Sequence, residues 1–216
     1  MESISNWTKQ HPLKMTVCFA IIYFSWFMLL ERFRKPILYI HTNLDNYVPF
    51  CKYMIVPYIA WFFYIFLTFA WLYKHDIDEY LYMAKYMFIG MIVCLAIYTI
   101  IPTGLTIRET VSGNDICAIL VRMIQKTDTP TNVCPSIHVF NSVCAAIVLG
   151  RNKYLKSKRT GVMIYVLTIV ICLSTVMLKQ HSVLDVFWAC VLNIMLYPLC
   201  LKKEYEYYAE AEKVKY

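Results

Sequence analysis

Six stretches of this chain run almost without a polar break. They cover Met15–Leu30, Met54–Tyr73, Tyr80–Ile101, Cys134–Leu149, Val162–Leu178 and Val183–Leu201. Each approaches the ~20 apolar residues that cross a bilayer core as a helix. Hydrocarbon offers the backbone no hydrogen-bond partner, so a spanning segment must satisfy itself internally, as a helix does. A lipid-facing barrel would alternate polar and apolar residues with period two, and no such alternation is present. The first and fourth stretches are short and call for snorkelling flanks such as Lys14, Arg32 or Arg151. The pattern therefore predicts an all-α fold: an integral membrane bundle of six transmembrane helices. Residues 1–216 form one domain, and its chemistry-bearing portion lies at about 98–189.

Between spans 3 and 4 lies a long polar connection, Pro102 to Val133. Within it Ile116, Ile119, Leu120 and Met123 recur at helical spacing, with Arg122 and Gln125 off that face. This predicts an interfacial helix over Asp115–Gln125. The simplest role for it is a lid or a membrane-surface helix without chemistry. The charged end, Lys202–Tyr216, reads as a helix or tail outside the membrane.

Composition agrees with the pattern. Hydrophobic residues make up 60% of the 216 and charged residues 16%, against about 25% charge in soluble domains. The net charge of +7 sits between apolar blocks, as positive-inside loops do. With no zinc-finger spacing and no basic helix, nucleic acid is not expected as a partner. Six spans put both termini and the loop Gly150–Gly161 on one side, which carries 13 of the 21 Lys and Arg residues, including Arg151, Lys153, Lys156, Lys158 and Arg159. That side is expected to be cytoplasmic, in a cell membrane, with the loops after spans 1, 3 and 5 outside. The run Met15–Leu30 has no small-residue cleavage site and reads as a retained span. The nine cysteines form no CxxC pair, and an odd number argues against a disulfide framework. Whether Cys117 and Cys134 pair is left open.

Three polar clusters stand at the outward ends of otherwise apolar segments. Ionisable groups at membrane depth are costly and tend to be functional. The first is Cys134-Pro135-Ser136-Ile137-His138. Proline suits the first turn of a helix, and the free N–H groups of Ser136, Ile137 and His138 would then form an anion site suited to phosphate. The Ser136 hydroxyl adds a donor, and His138 can protonate a leaving oxygen. Alone, this motif is equally a helix start with an interfacial histidine.

The second cluster is Lys179-Gln180-His181-Ser182-Val183-Leu184-Asp185. His181 and Asp185 are four apart and share a helix face. A carboxylate on one ring nitrogen fixes the tautomer and frees the other to attack, which makes His181 a candidate nucleophile toward phosphorus. A local ion pair is the alternative, but it explains poorly an acid in the first turn of a membrane helix. The third cluster, Pro102 to Glu109, contributes Arg108, whose planar fork matches phosphate oxygens. By itself a juxtamembrane arginine is ordinary. No His/Cys/Asp cluster has metal spacing, so neither metal nor cofactor is expected.

The segments Cys134–His138 and Thr175–Asp185 resemble the second and third motifs of the type 2 phosphatidic-acid phosphatase superfamily. Those motifs read Pro-Ser-x-His, and Ser-Arg, five residues, His, three residues, Asp. Here Ser174-Thr175, His181 and Asp185 keep the spacing, and the resemblance spans about Tyr98 to Ala189. It implies attack by His181 through a phosphohistidine, with Asp185 orienting it and His138 as general acid. Arg108, Ser136 and Ile137 would hold the phosphate. The motif's arginine falls on Thr175 and the first motif's lysine on Ile101, while Glu109 stands where proline is expected. Lys179 is the candidate replacement cation. With its Pro-Ser-x-His lacking glycine, the chain resembles the branch containing inositol-phosphorylceramide synthases, which transfer a phospho-headgroup to an alcohol. The implied substrates are phosphatidate, phosphatidylglycerol phosphate or polyprenyl pyrophosphate, with membrane lipids as partners and a homo-oligomer left open.

A small transporter or a non-catalytic membrane protein is the reading from another class. It would carry polar groups in mid-span, and only Asn193, Asn141 and Ser142 qualify. The tryptophans read as interfacial anchors.

Overall fold

The computed structural model describes residues 7–202, so the Lys202–Tyr216 tail expectation falls almost wholly outside it. The described chain is predominantly helical. Its long helices are α1 (Pro12–Phe33), α3 (Ile55–His75), α4 (Ile77–Ile100), α6 (Ile137–Arg151), α7 (Lys158–Met177) and α8 (Val183–Tyr197). Two short helices, α2 (Leu44–Tyr47) and α5 (Ile116–Thr127), lie in the connections.

Five helices are long and apolar enough to cross a membrane, and their outward faces carry exposed Ile21, Phe24, Phe66, Val166 and Ile194. Continuous apolar faces of this kind mark a multi-pass membrane protein. The helix of the fourth apolar stretch, α6, is the exception. Its 15 residues span only about 22 Å at 1.5 Å per residue. It is the centre of the bundle, touching α3, α4, α7 and α8, and Val139, Phe140, Ser142, Cys144, Ala145 and Val148 are all buried. Small residues let backbones approach closely. Opposite, Gly90 of α4 does the same: a Cβ there would lie 1.9 Å from the Phe140 ring.

Helix ends follow local chemistry. Asp76 separates α3 from α4, its side chain accepting from the Glu79 N–H at 3.2 Å as an N-cap should. Pro135 proves to lie before α6 rather than in its first turn. Ser136 takes the N-cap instead, its hydroxyl accepting from the Val139 N–H at 3.4 Å.

The all-α expectation needs one amendment. Strands β1 (Leu38–Ile40) and β2 (Thr103–Leu105) pair in parallel, tying the loop after α1 to the loop after α4. Gly104 permits this contact, since a Cβ there would meet Pro36 at 2.7 Å and Tyr39 at 2.9 Å. The Thr103 hydroxyl accepts from the N–H groups of Val133 and Cys134 at 3.0 and 3.1 Å, delivering the chain to the start of α6.

The helix expected over Asp115–Gln125 is α5, capped by Asp115. A second apolar side, not read from the sequence, packs onto the bundle. Cys117, Leu120, Val121 and Ile124 turn inward onto Ile55, Tyr58 and Leu178. Ile116, Ile119 and Met123 are exposed, so α5 is apolar on two sides. Both Cys117 and Cys134 are free thiols.

Candidate active site

The start of α6 and the start of α8 meet at one end of the bundle. The Ser136 N–H donates to the Asp185 carbonyl at 3.2 Å, joining the two motifs through their backbones. The His138 and His181 rings lie 5.8 Å apart, centroid to centroid, close enough to flank one phosphorus. His181 Nδ1 lies 3.2 Å from Asp185 Oδ2, which directs that nitrogen's proton to the carboxylate and leaves Nε2 free to attack. The same oxygen accepts from the Ser182 N–H at 2.9 Å and completes a capping box at α8. Asp185 is fully buried, and its Oδ1 has no hydrogen-bond partner among the described residues. The Cys134 thiol lies beside this carboxylate. Burial first and the Asp185 charge second push its pKa well above the usual thiol range, so it stays protonated.

The turn carrying His181 is braced from a distant part of the chain. Asp45, in α2, is buried and accepts from the Ser182 hydroxyl at 2.7 Å and the Val183 N–H at 2.8 Å. Lys179 belongs to this brace. Its ammonium donates to the carbonyls of Asp45 and Val48 at 2.6 and 2.5 Å. It faces away from the two histidines, on a residue with φ of 54°, and so does not stand in for the missing motif cation.

His138 has a different setting. Its ring packs on Trp61 at 4.3 Å and Tyr58 at 4.8 Å, and no carboxylate contacts it. The N–H groups of Ile137 and His138, in the first turn of α6, remain free to bind an anion. The Ser136 N–H does not, because the Asp185 carbonyl holds it, and the Ser136 side chain is buried as a cap. Arg108 reaches the site from the loop after β2. Its guanidinium donates to the carbonyls of Asp128 and Thr129 at 2.6 and 3.2 Å and lies 3.9 Å from the Asp128 carboxylate. Burial lowers its pKa while Asp128 opposes that shift, and a guanidinium remains charged regardless. Among the described residues no three His, Cys, Asp or Glu side chains converge as a metal site requires.

A cavity of about 610 Å³ opens below these groups. At one end it is lined by Arg108, Asp128, His138 and His181 with Asn132, Asn141 and Gln180. From there it runs between α1, α3 and α4 along Phe19, Tyr23, Phe27, Phe66, Phe69 and Phe88. On α3 its wall extends from Tyr58 to Phe69, about 16 Å of helix, or about half of a ~30 Å hydrocarbon core.

Sequence reasoning missed Tyr58, Trp61, Asp128, Asn132, Gln180 and Asp45. Tyr58 and Trp61 are three apart on one helix face, the only trace they leave in the sequence. Asn141 was noticed, but as a stray polar residue in a span.

Residues 109–207 match the family model of the PAP2 superfamily. Over these residues the chain is similar to that superfamily. The match contains both histidine motifs and begins one residue after Arg108, so it bears on the His138/His181/Asp185 constellation and not on the arginine. No curated protein and no solved structure gives a significant match. Members of that superfamily are generally phosphatases or phosphotransferases acting on phosphorylated substrates, and the match supports an enzyme of that broad kind.

Proposed function

We propose that the protein is a membrane lipid phosphatase working through a phosphohistidine on His181. The observation that carries this is one cavity with two chemically distinct ends. A free imidazole nitrogen backed by a buried carboxylate stands at the polar end, and a channel of aromatic side chains leads from it toward mid-bilayer. A phosphate at the polar end would contact the Ile137 and His138 N–H groups and Arg108. The lipid tail would fill the aromatic channel, as apolar pockets favour. His181 Nε2 attacks phosphorus while His138 protonates the departing lipid oxygen, and water then discharges the enzyme.

The same half-reaction serves a phospholipid headgroup transferase, with an alcohol in place of water. Arg108 is already matched by Asp128, which favours this second reading, because a phosphatase for dianionic monoesters would be served by more cations. In either case the chain crosses a cell membrane six times with both termini cytoplasmic. The site lies at the opposite face, and α5 rests its exposed apolar side on the membrane surface.

The test uses purified protein in detergent with phosphorus-labelled phospholipids. An acid-labile, base-stable phosphoprotein should form and be lost in His181→Ala, with turnover down at least about a thousandfold. Released inorganic phosphate supports hydrolysis, and a new labelled phospholipid supports transfer. Full turnover in His181→Ala would remove the nucleophile assignment.

A further inference from the structure

The polar end of the cavity contains a set of buried groups that the mechanism above leaves idle. Asn132, Asn141 and Gln180 line it beside both histidines. Each is at least nine-tenths buried, and each has a carboxamide oxygen without a hydrogen-bond partner among the described residues. Arg108 Nε and Trp61 Nε1 are buried and unpartnered in the same wall. Native proteins pair most buried polar atoms, and an unpaired one costs roughly 1–3 kcal/mol. Five such atoms around one space point to a polar ligand that pairs them.

The charge around that space is unusual for a phosphate site. The ionisable residues lining it are Arg108, Asp128, His138 and His181. Tyr23, Tyr58 and Tyr98 line the cavity too, with Asp185 behind His181, Lys179 turned away and Glu31 held by Thr129 and Thr131 at the mouth. The single arginine already faces the Asp128 carboxylate. A phosphomonoester dianion would bring two charges to a wall able to neutralise about one.

We propose that Asn141 and Gln180, assisted by Asn132, are phosphate-positioning residues whose neutral carboxamides replace the cations of the motif, and that the pocket selects a monoanionic phosphate, that of a phosphodiester lipid. Asn141 can turn its NH₂ toward a phosphate oxygen, and Gln180, whose NH₂ donates to the Leu178 carbonyl at 3.3 Å, would exchange that bond for a phosphate oxygen, the carbonyl of either group facing a headgroup hydroxyl. The inference rests on the His181 reading for its chemistry but not for its binding, and it takes the headgroup-transferase form of that reading, since a phosphatase acts on the monoester. In the reaction, Nε2 of His181 bonds to phosphorus and one phosphorus–oxygen ester bond breaks. The proton of His138 goes to the departing alcohol oxygen. A water or alcohol hydroxyl then attacks phosphorus, the nitrogen–phosphorus bond breaks, and the hydroxyl proton returns to His138.

Binding to His181→Ala in mixed micelles decides the matter without turnover. The ligands are phosphatidylglycerol, a monoanion throughout pH 5–8, and phosphatidate, whose second ionisation falls near ~6 as for other phosphomonoesters. At pH 8 phosphatidylglycerol should bind at least about tenfold more tightly, and the gap should narrow toward pH 5 as phosphatidate becomes a monoanion. Gln180→Arg should bring phosphatidate at pH 8 to within about threefold of the diester. Gln180→Leu with Asn141→Leu, checked for native circular dichroism, should weaken the diester at least about tenfold. Equal binding of both lipids at pH 8 overturns the proposal, as does a pH-independent gap. A binding preference without any His181-dependent turnover in the wild type removes the phosphohistidine reading and leaves this one standing.

Discussion

The two ends of the bundle handle their polar groups in opposite ways. At the end where α6 stops, no buried side-chain nitrogen or oxygen among the described residues is left unpaired: the Arg151 guanidinium donates twice to Glu79 at 3.1 and 2.9 Å, and the Asn152 amide donates to Asp76 at 3.1 Å. At the end where α6 begins, six side-chain nitrogen or oxygen atoms around the histidines, Asp185 Oδ1 among them, are buried and unpaired among the described residues. Both ends sit in one apolar protein under one folding constraint. The first spends its charges on holding helices together. The second carries unpaired polarity that folding alone disfavours, and such sites are where natural proteins depart from local consistency for function. The contrast predicts that substitutions at the first end change stability and those at the second change chemistry.

The sharpest break comes from His138. It stands at the unpaired end, packed on Trp61 and Tyr58 with no carboxylate behind it, so its ring contributes little that a glutamine could not fill. His138→Gln should lower turnover by about 10²–10⁴, the usual range for a general acid, with the melting temperature within a few degrees of wild type. A lipid with a good leaving group, such as a nitrophenyl ester, should recover most of the rate, since its oxygen departs without a proton. An equal loss on both substrates would assign His138 to binding instead.

Asp45 sharpens the comparison, because it lies near the active end yet is fully paired. It holds the Ser182 hydroxyl and Val183 N–H, and through them the turn that aims His181. Asp45→Asn keeps the shape but offers an NH₂ to a backbone N–H, leaving a buried donor unpaired at roughly 1–3 kcal/mol. The expected result is a drop in kcat of about tenfold with KM nearly unchanged, since the phosphate contacts come from α6 and Arg108. A fall in stability alone, with kcat intact in the folded fraction, would make the brace purely structural.

How much of this could be read along the chain depended on distance in sequence. His181 and Asp185 are four apart, so helical periodicity alone brings them together, and the six apolar stretches set the helices to within a few residues. Lys179 went astray for a local reason: its left-handed backbone turns the side chain out of the helical register that spacing assumes. Its true partners, Asp45 and Val48, are more than 130 positions away. Ser136 read as a phosphate donor at a helix start, and neither its capping role nor the Asp185 carbonyl that takes its N–H was legible. Tyr58 and Trp61 were hidden by uniformity. When every face of a helix is apolar, as in α3, hydrophobic pattern carries no information about which face turns inward, and only packing against α6 decides it. The same reasoning explains α5, where the pattern marked the apolar side that lies exposed and only tertiary contact decided the second side that packs inward.

At the paired end, Glu79→Gln removes the charge that Arg151 is held against, in a setting where both side chains are less than one-fifth exposed. Breaking one partner of a largely buried pair leaves the other charge poorly compensated, and about 1–3 kcal/mol of stability should be lost. Turnover per folded molecule should stay at the wild-type level, because Glu79 lies at the far end of α4 from the histidines. Thermal unfolding followed alongside activity on the soluble fraction gives both numbers. A selective loss of activity would dissolve the distinction between the two ends.

The smallest effect belongs to the exposed pair at the edge of the active end. Asp115 caps α5 and meets the Lys52 ammonium at 2.5 Å. The hydrogen bond from Lys52 leads, and that from the Ala118 N–H follows, in holding its pKa below the ordinary carboxylate value. A depressed folded-state pKa means the ionised form favours folding. That contribution is complete above the unfolded value near ~4 and disappears as pH falls through the lower folded one. Salt screens a pair this exposed. Wild type and Asp115→Asn should therefore differ slightly in melting temperature at pH 7 and low salt, and converge both at acid pH and at high salt. Since α5 also roofs the cavity through Ile124, the same comparison run on lipid turnover asks whether the helix moves in the reaction. A rate that changes while the melting temperature does not would make α5 a working lid, and unchanged rates would make it a fixed wall.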